Sequence, residues 1–249
     1  MGNLLRSEWF KLWKDRVFWT LLLALAVSAV FYTVLVFFDQ DGSFNAVSVS
    51  LLYADALSGN GYIIRLIPGI LAGFFISNEY ATGTMKSMVA SGNSRIRIYS
   101  AKLIMFMLGT SLLAMMFPLF LTGTAAIGSG FYDMPEWDFW LRTLGLHMLY
   151  AAGFASIMGV LAFLFTDSGK TIGFLLLFFL LVDSILFMVS QKVAWFKPVF
   201  EYSIFKLFHD IGQESLAPSG WFALLAVPIV TSAAFWVLGN YMFYRKEIK

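Results

Sequence analysis

Cysteine is absent from this 249-residue chain, histidine occurs twice and charged residues make up only 13% of it. Without cysteine there is no disulfide framework, no thiol nucleophile and no thiolate metal site, and the redox compartment is left unread. His147 and His209 lie far apart in the sequence, and neither sits in an HExxH or related spacing, so no metal site is expected. Also missing are a GxSxG nucleophile turn, a glycine-rich phosphate loop ending in Lys-Ser or Lys-Thr, and a dinucleotide fingerprint. No catalytic or cofactor-binding residue emerges, and if ATP drives this protein another chain binds it. A net charge of +2 is too small to argue for nucleic acid.

What is present is apolar. With 59% hydrophobic residues and a mean hydropathy of +0.77, the chain carries more apolar surface than a soluble fold of this length buries. It reads as an integral membrane protein, all-α and a single domain over residues 1–249. About 20 apolar residues cross a bilayer as a helix, and six segments qualify: 17–38, 62–77, 103–128, 144–166, 171–190 and 221–244. The first run exceeds a signal-peptide core and lacks a small-residue cleavage site, so it reads as a retained span. The second is short and calls for a tilted helix or a thinned membrane. Only Asp167–Lys170 separates the fourth from the fifth, which predicts a tight antiparallel hairpin.

Charge orients the bundle. Arg6, Lys11, Lys14, Arg16, Lys86, Arg95, Arg97, Lys102, Lys170, Arg245, Lys246 and Lys249 fall on one side, against Arg65, Arg142, Lys192, Lys197 and Lys206 on the other. The other side also receives Asp39, Asp41, Asp55, Asp133, Glu136 and Asp138. The positive-inside rule makes the first side cytoplasmic and both termini internal. Residues 1–16 carry Leu5, Trp9, Leu12 and Trp13 at helical spacing, which suits an interfacial helix anchored by Trp9 and Trp13, with or without a protein contact. Residues 191–220 are too apolar for a solvated loop and predict one or two short helices dipping into the outer leaflet.

Three features could carry function. Asp183 is the one carboxylate well inside an apolar span; an ionised aspartate costs roughly 2.5–3.5 kcal/mol at the bilayer centre, so it faces protein or water. A packing role, a substrate path and a subunit interface all remain open for it. Gly69-x-x-x-Gly73 and Ala151-x-x-x-Ala155-x-x-x-Gly159 permit close helix approach, within one subunit or across a dimer seam. Pro68, Pro118 and Pro228 lie in or near spans, where a missing donor kinks a helix.

The third is the polar, basic segment between the second and third spans. Glu79 favours a helix N-terminus, Thr82 or Thr84 is placed to cap free amides, and Gly92-Asn93 is a stop signal, so residues 79–91 predict a short helix closed by a turn. A connector needs far less. It is a docking surface for a soluble partner or, since Met85, Met88 and Val89 suit lipid, a membrane-adsorbed helix.

The stretches LLRSEWFKLWKDRVFWTLLL and EYATGTMKSMVASGNSRIRIYSAK, with the six spans and the length, resemble the bacterial ABC-2 type permeases, including bacitracin-resistance, lantibiotic-immunity and peptide-export subunits. The most specific elements are Glu79, Gly83, Thr84, Ser94, Arg95 and Lys102. The resemblance implies a type V exporter-like architecture with a coupling helix over residues 79–95, an N-terminal interfacial helix and a reentrant outer hairpin. It implies that Glu79, Thr82, Gly83, Thr84, Lys86 and Arg95 dock an ATP-binding cassette ATPase present in two copies, which holds ATP and Mg. It further implies a second permease subunit, identical or paralogous, and export of an amphipathic or hydrophobic substrate, peptides among them, through the bacterial cytoplasmic membrane. A membrane-embedded enzyme and a non-transporting scaffold or sensor are the alternatives, the first weakened by the missing catalytic constellations.

Overall fold

In the computed structural model, residues 2–39, 48–212 and 218–246 are described, the side chains of 218 and 219 excepted. Asp41 of the acidic loop and Lys249 lie outside them. Every regular element among the described residues is helical. The order is α1 (Gly2–Lys14), α2 (Arg16–Asp39), α3 (Val49–Ala72), a π-helical turn (Gly73–Ser77), α4 (Asn78–Ala81), α5 (Thr84–Ala90), α6 (Arg95–Ser129), α7 (Trp137–Leu164), α8 (Ser168–Lys192), α9 (Lys197–Glu201), α10 (Ile204–His209) and α11 (Pro218–Arg245). Among the described residues six helices are long and apolar enough to span a membrane, one of them the continuous run Val49–Ala81 formed by α3, the π turn and α4. The chain is a multi-pass membrane protein.

The long helix α6 is the axis of the bundle, packed by α1, α2, α3, α7 and α11. Small residues let α7 approach it: a Cβ at Gly159 would stand 2.5 Å from Leu103 Cδ1. At Gly73 a Cβ would meet Ile172 Cγ1 at 2.4 Å, so the Gly69/Gly73 stripe seats α3 against α8. Both small-residue motifs are therefore used inside one chain. Asp167 accepts from the Lys170 amide at 2.8 Å and caps α8, which makes the predicted tight hairpin.

The second span corrects the sequence reading. It starts at Val49 and runs 33 residues, not 62–77, because the polar residues that interrupt its hydropathy find partners inside the protein. Asn60 donates to the Ala114 carbonyl at 3.1 Å, and Arg65 is ion-paired. Arg65 thus belongs to the bundle and not to an outer loop. The third span likewise begins at Arg95, with Lys102 inside the helix instead of at its boundary. Beyond α8, two short helices form as expected; Phe205 and Phe208 turn into the bundle against Phe154 and Tyr150.

Candidate functional site

The segment joining the second and third spans is built in two pieces. Gly83 takes φ +71° between α4 and α5, a left-handed conformation that an L side chain resists; since a Cβ there would touch nothing within 4 Å, the requirement is on the backbone alone. The single helix expected over 79–91 is therefore broken at Gly83. The threonine caps also do not form: Thr82 Oγ1 donates back to the Asn78 carbonyl at 3.0 Å, and α5 has no side-chain cap. The stop signal holds, with Gly92 at φ +84° and its amide on the Val89 carbonyl.

α5 is two-faced. Met85 is fully buried and Met88 and Val89 pack against the core, while Thr82, Gly83, Lys86 and Ser87 are exposed. The apolar face that would have adsorbed to lipid is covered by protein.

Glu79 points the other way. Its Oε1 lies 3.0 Å from Lys11 Nζ and 2.9 Å from Lys102 Nζ, while Glu8 pairs with the same two lysines at 2.7 and 2.6 Å. Two acids and two bases from α1, α4 and α6 thus form a ring in which each member meets two opposite charges. Glu8 and Lys102 are almost completely buried; Glu79 Oε2 is buried without a partner among the described residues. Burial pushes the Glu8 carboxyl up, but Lys102 and Lys11 outweigh it and hold it below the ordinary value. Burial pulls Lys11 down, and Glu8 and Glu79 more than restore it, so its ammonium is held above the ordinary value. The sequence reading gave Glu79 to a partner groove and counted Lys11 among the charges of the cytoplasmic side; in the structure both pair inside the chain, where each neutralises a charge the bundle would otherwise bury alone.

Arg95 is also engaged within the chain. Its Nη1 donates to the carbonyls of Phe243, Tyr244 and Lys246 at 3.3, 2.9 and 2.6 Å, capping the C-terminus of α11. Lys246 Nζ donates to Phe163 and Leu164 O at 2.5 and 3.1 Å, closing the end of α7, and stands 4.0 Å over the Tyr80 ring. The exposed members of the sequence-derived docking set are therefore Thr82, Gly83 and Lys86, with Thr84 half-buried. Trp9 and Trp13 stack at 5.6 Å on the exposed side of α1, Trp19 packs edge-on against Trp13, and Leu12 faces the core.

Asp183 heads a second cluster. Its Oδ2 accepts from Arg65 Nη1 at 2.7 Å, and Arg65 Nη2 lies 2.8 Å from His209 Nε2. A guanidinium only donates, so that nitrogen of His209 accepts; its 3.4 Å approach to Asp183 Oδ2 is two acceptors sharing one arginine. The three residues line a cavity of about 510 Å³ with His147 and Phe208. Sequence reading found Asp183 but neither of its partners. It also missed Glu8, although Glu8 shares a helical stripe with Leu5 and Leu12, which marks it as inward-facing.

A family model described as "ABC-2 family transporter protein" matches residues 4–184, which takes in the α1 helix, the α4–α5 segment and Asp183. No curated protein matches the chain.

Proposed function

The chain belongs to the ABC-2 family of transporter proteins, and on that premise we propose that it is the transmembrane permease subunit of an ATP-driven exporter. Membership implies an ABC ATPase partner in general; on our reading two ATPase copies seat against the α4–α5 segment, bind ATP and Mg, and perform the hydrolysis. Two permease subunits, identical or paralogous, form the path. Both termini face the cytoplasm of a bacterial cell, because Arg6, Lys14, Arg16, Lys86, Arg97 and Lys170 remain exposed on the side that carries that segment. The substrate is amphipathic or hydrophobic, and the small permeases this chain resembles favour antimicrobial or cytolytic peptides within that class.

The observation that carries the reading is the mounting of α5. Lys86 and Ser87 on its outer face and Thr82 and Gly83 just before it are exposed, while the ion-pair ring at Glu79 ties α4 to α1 and to α6. A surface so held transmits a push to two helices at once instead of absorbing it in a loose loop.

The test leaves the ring intact. Thr82→Trp and Lys86→Glu should insert normally yet lose ATPase co-purification and substrate-coupled hydrolysis, by about 1–3 kcal/mol of binding concentrated in these residues. Glu136→Lys, an exposed change at the other end of the bundle, is the matched control. Equal behaviour of the two sets removes the docking surface and the exporter with it.

A further inference from the structure

Arg65 has a hydrogen-bonding edge that the protein leaves half filled. A guanidinium presents its donors in a rigid fork, and the edge formed by Nε and Nη2 matches the two oxygens of a carboxylate or phosphate. Asp183 takes Nη1 and His209 takes Nη2, but Nε is buried with no partner among the described residues, on a side chain only 8% exposed. A native protein rarely leaves a buried donor unmet without a reason.

His209 is the replaceable neighbour. It sits on the short helix α10, its side chain is 55% exposed, and its bond to Arg65 lacks the opposite charge that secures Asp183. The cavity of about 510 Å³ that holds all three lies beside a second, of about 360 Å³, which shares Asp183 and His209 and is walled on one side by the contacting rings of Phe187 and Phe200. Phe187 is largely exposed on α8, so this second space leads to the apolar outside of the bundle.

We propose that the two cavities form a binding site for an anionic amphiphile of the lipid class, whose carboxylate or phosphate head takes the Nε/Nη2 edge of Arg65 in place of His209. The acyl chain lies along the second cavity and leaves past the exposed face of Phe187. Asp183 stays on Nη1 and keeps the fork aimed. This site goes beyond the transport reading and does not depend on it, since its occupancy is measured on the permease without any ATPase.

The experiment is native mass spectrometry of the full chain released from detergent, titrated with 1-oleoyl-lysophosphatidate, oleate, monoolein and inorganic phosphate. Lysophosphatidate and oleate should bind at least about tenfold tighter than uncharged monoolein, the value of one charge-assisted bond. Arg65→Gln should remove that preference and leave monoolein binding unchanged; His209→Ala should bind the anions equally or more tightly. His209 is exposed, so its variant keeps the test decisive should Arg65→Gln fold poorly. Equal binding of lysophosphatidate and monoolein, or a tenfold loss in His209→Ala, overturns the proposal. Inorganic phosphate binding as tightly as lysophosphatidate overturns the amphiphile and leaves a plain anion site.

Discussion

The two ionic clusters of this protein use the same kinds of residue and reach opposite ends. Glu8, Lys11, Glu79 and Lys102 balance two charges against two, and each lysine meets both acids. Arg65, Asp183 and His209 hold one acid, one base and one imidazole, with a guanidinium nitrogen to spare and a cavity beside it. Closure decides the role. The ring's ion pairs join α1, α4 and α6 and hold helices together, whereas Arg65 lines a cavity and keeps a donor with which to hold something from outside. Burying charge is costly, and a buried pair returns that cost only when its geometry is complete. The ring therefore reads as structure and the triad as a site, although both place a charge inside a long apolar helix, Lys102 in α6 and Asp183 in α8.

Removing Lys102 tests the ring hardest. Lys102→Met leaves Glu8 buried without its strongest partner, and breaking a buried pair this way should cost about 3–5 kcal/mol. Thermal unfolding in detergent reads the loss, and Glu8→Gln in the same chain should recover part of it, because the two changes together leave fewer uncompensated charges. A variant as stable as the parent would show that the ring bears no load.

The next comparison sets neutral isosteres side by side. Asp183→Asn keeps an acceptor for Arg65 Nη1 in a site that opens to a cavity, so its stability cost should stay within about 1 kcal/mol. Glu79→Gln puts an amide between two lysines in a drier place and should cost about 1–3 kcal/mol. If the two substitutions lose equal stability, the distinction between closed and open clusters fails.

Much of this was legible in the sequence, and what was not has one cause. The six spans, the tight hairpin before α8, the two short helices after it and the Gly92 turn follow from local pattern, where period, length and turn chemistry suffice. The boundaries at Val49 and Arg95 did not, since Asn60, Arg65 and Lys102 look like interruptions until their partners are seen. Those partners are far away in the chain: Lys102 meets Glu8 across 94 residues and Arg65 meets His209 across 144. No window sees that. For the same reason Glu79, Lys11 and Arg95 read as outward-facing charges, when each is spent on a partner that only the fold brings near.

Lys246 sharpens the comparison from a third direction, with the smallest effect. It has neither a closed ring nor an open cavity; its ammonium rests on the carbonyls of Phe163 and Leu164 and on the Tyr80 ring. Burial, with no acid beside it among the described residues, pulls its pKa down to about 8. The sign follows from linkage. Below about pH 8 the amine is charged folded or unfolded and the full desolvation penalty is present; between about 8 and the ordinary 10.5 only the unfolded chain binds the proton, so stability rises with pH through that window. The group is half in water, which keeps the change small. Comparing the parent with Lys246→Gln isolates it: the parent should gain midpoint temperature relative to the variant from pH 8 to pH 10. Carbon-13 methyl labelling of the lysines should show one resonance titrating near pH 8 that vanishes in the variant. A Lys246 resonance that instead titrates near 10.5 would mean that water reaches this ammonium freely, and that the end of α7 is held by a solvated charge and not by a buried one.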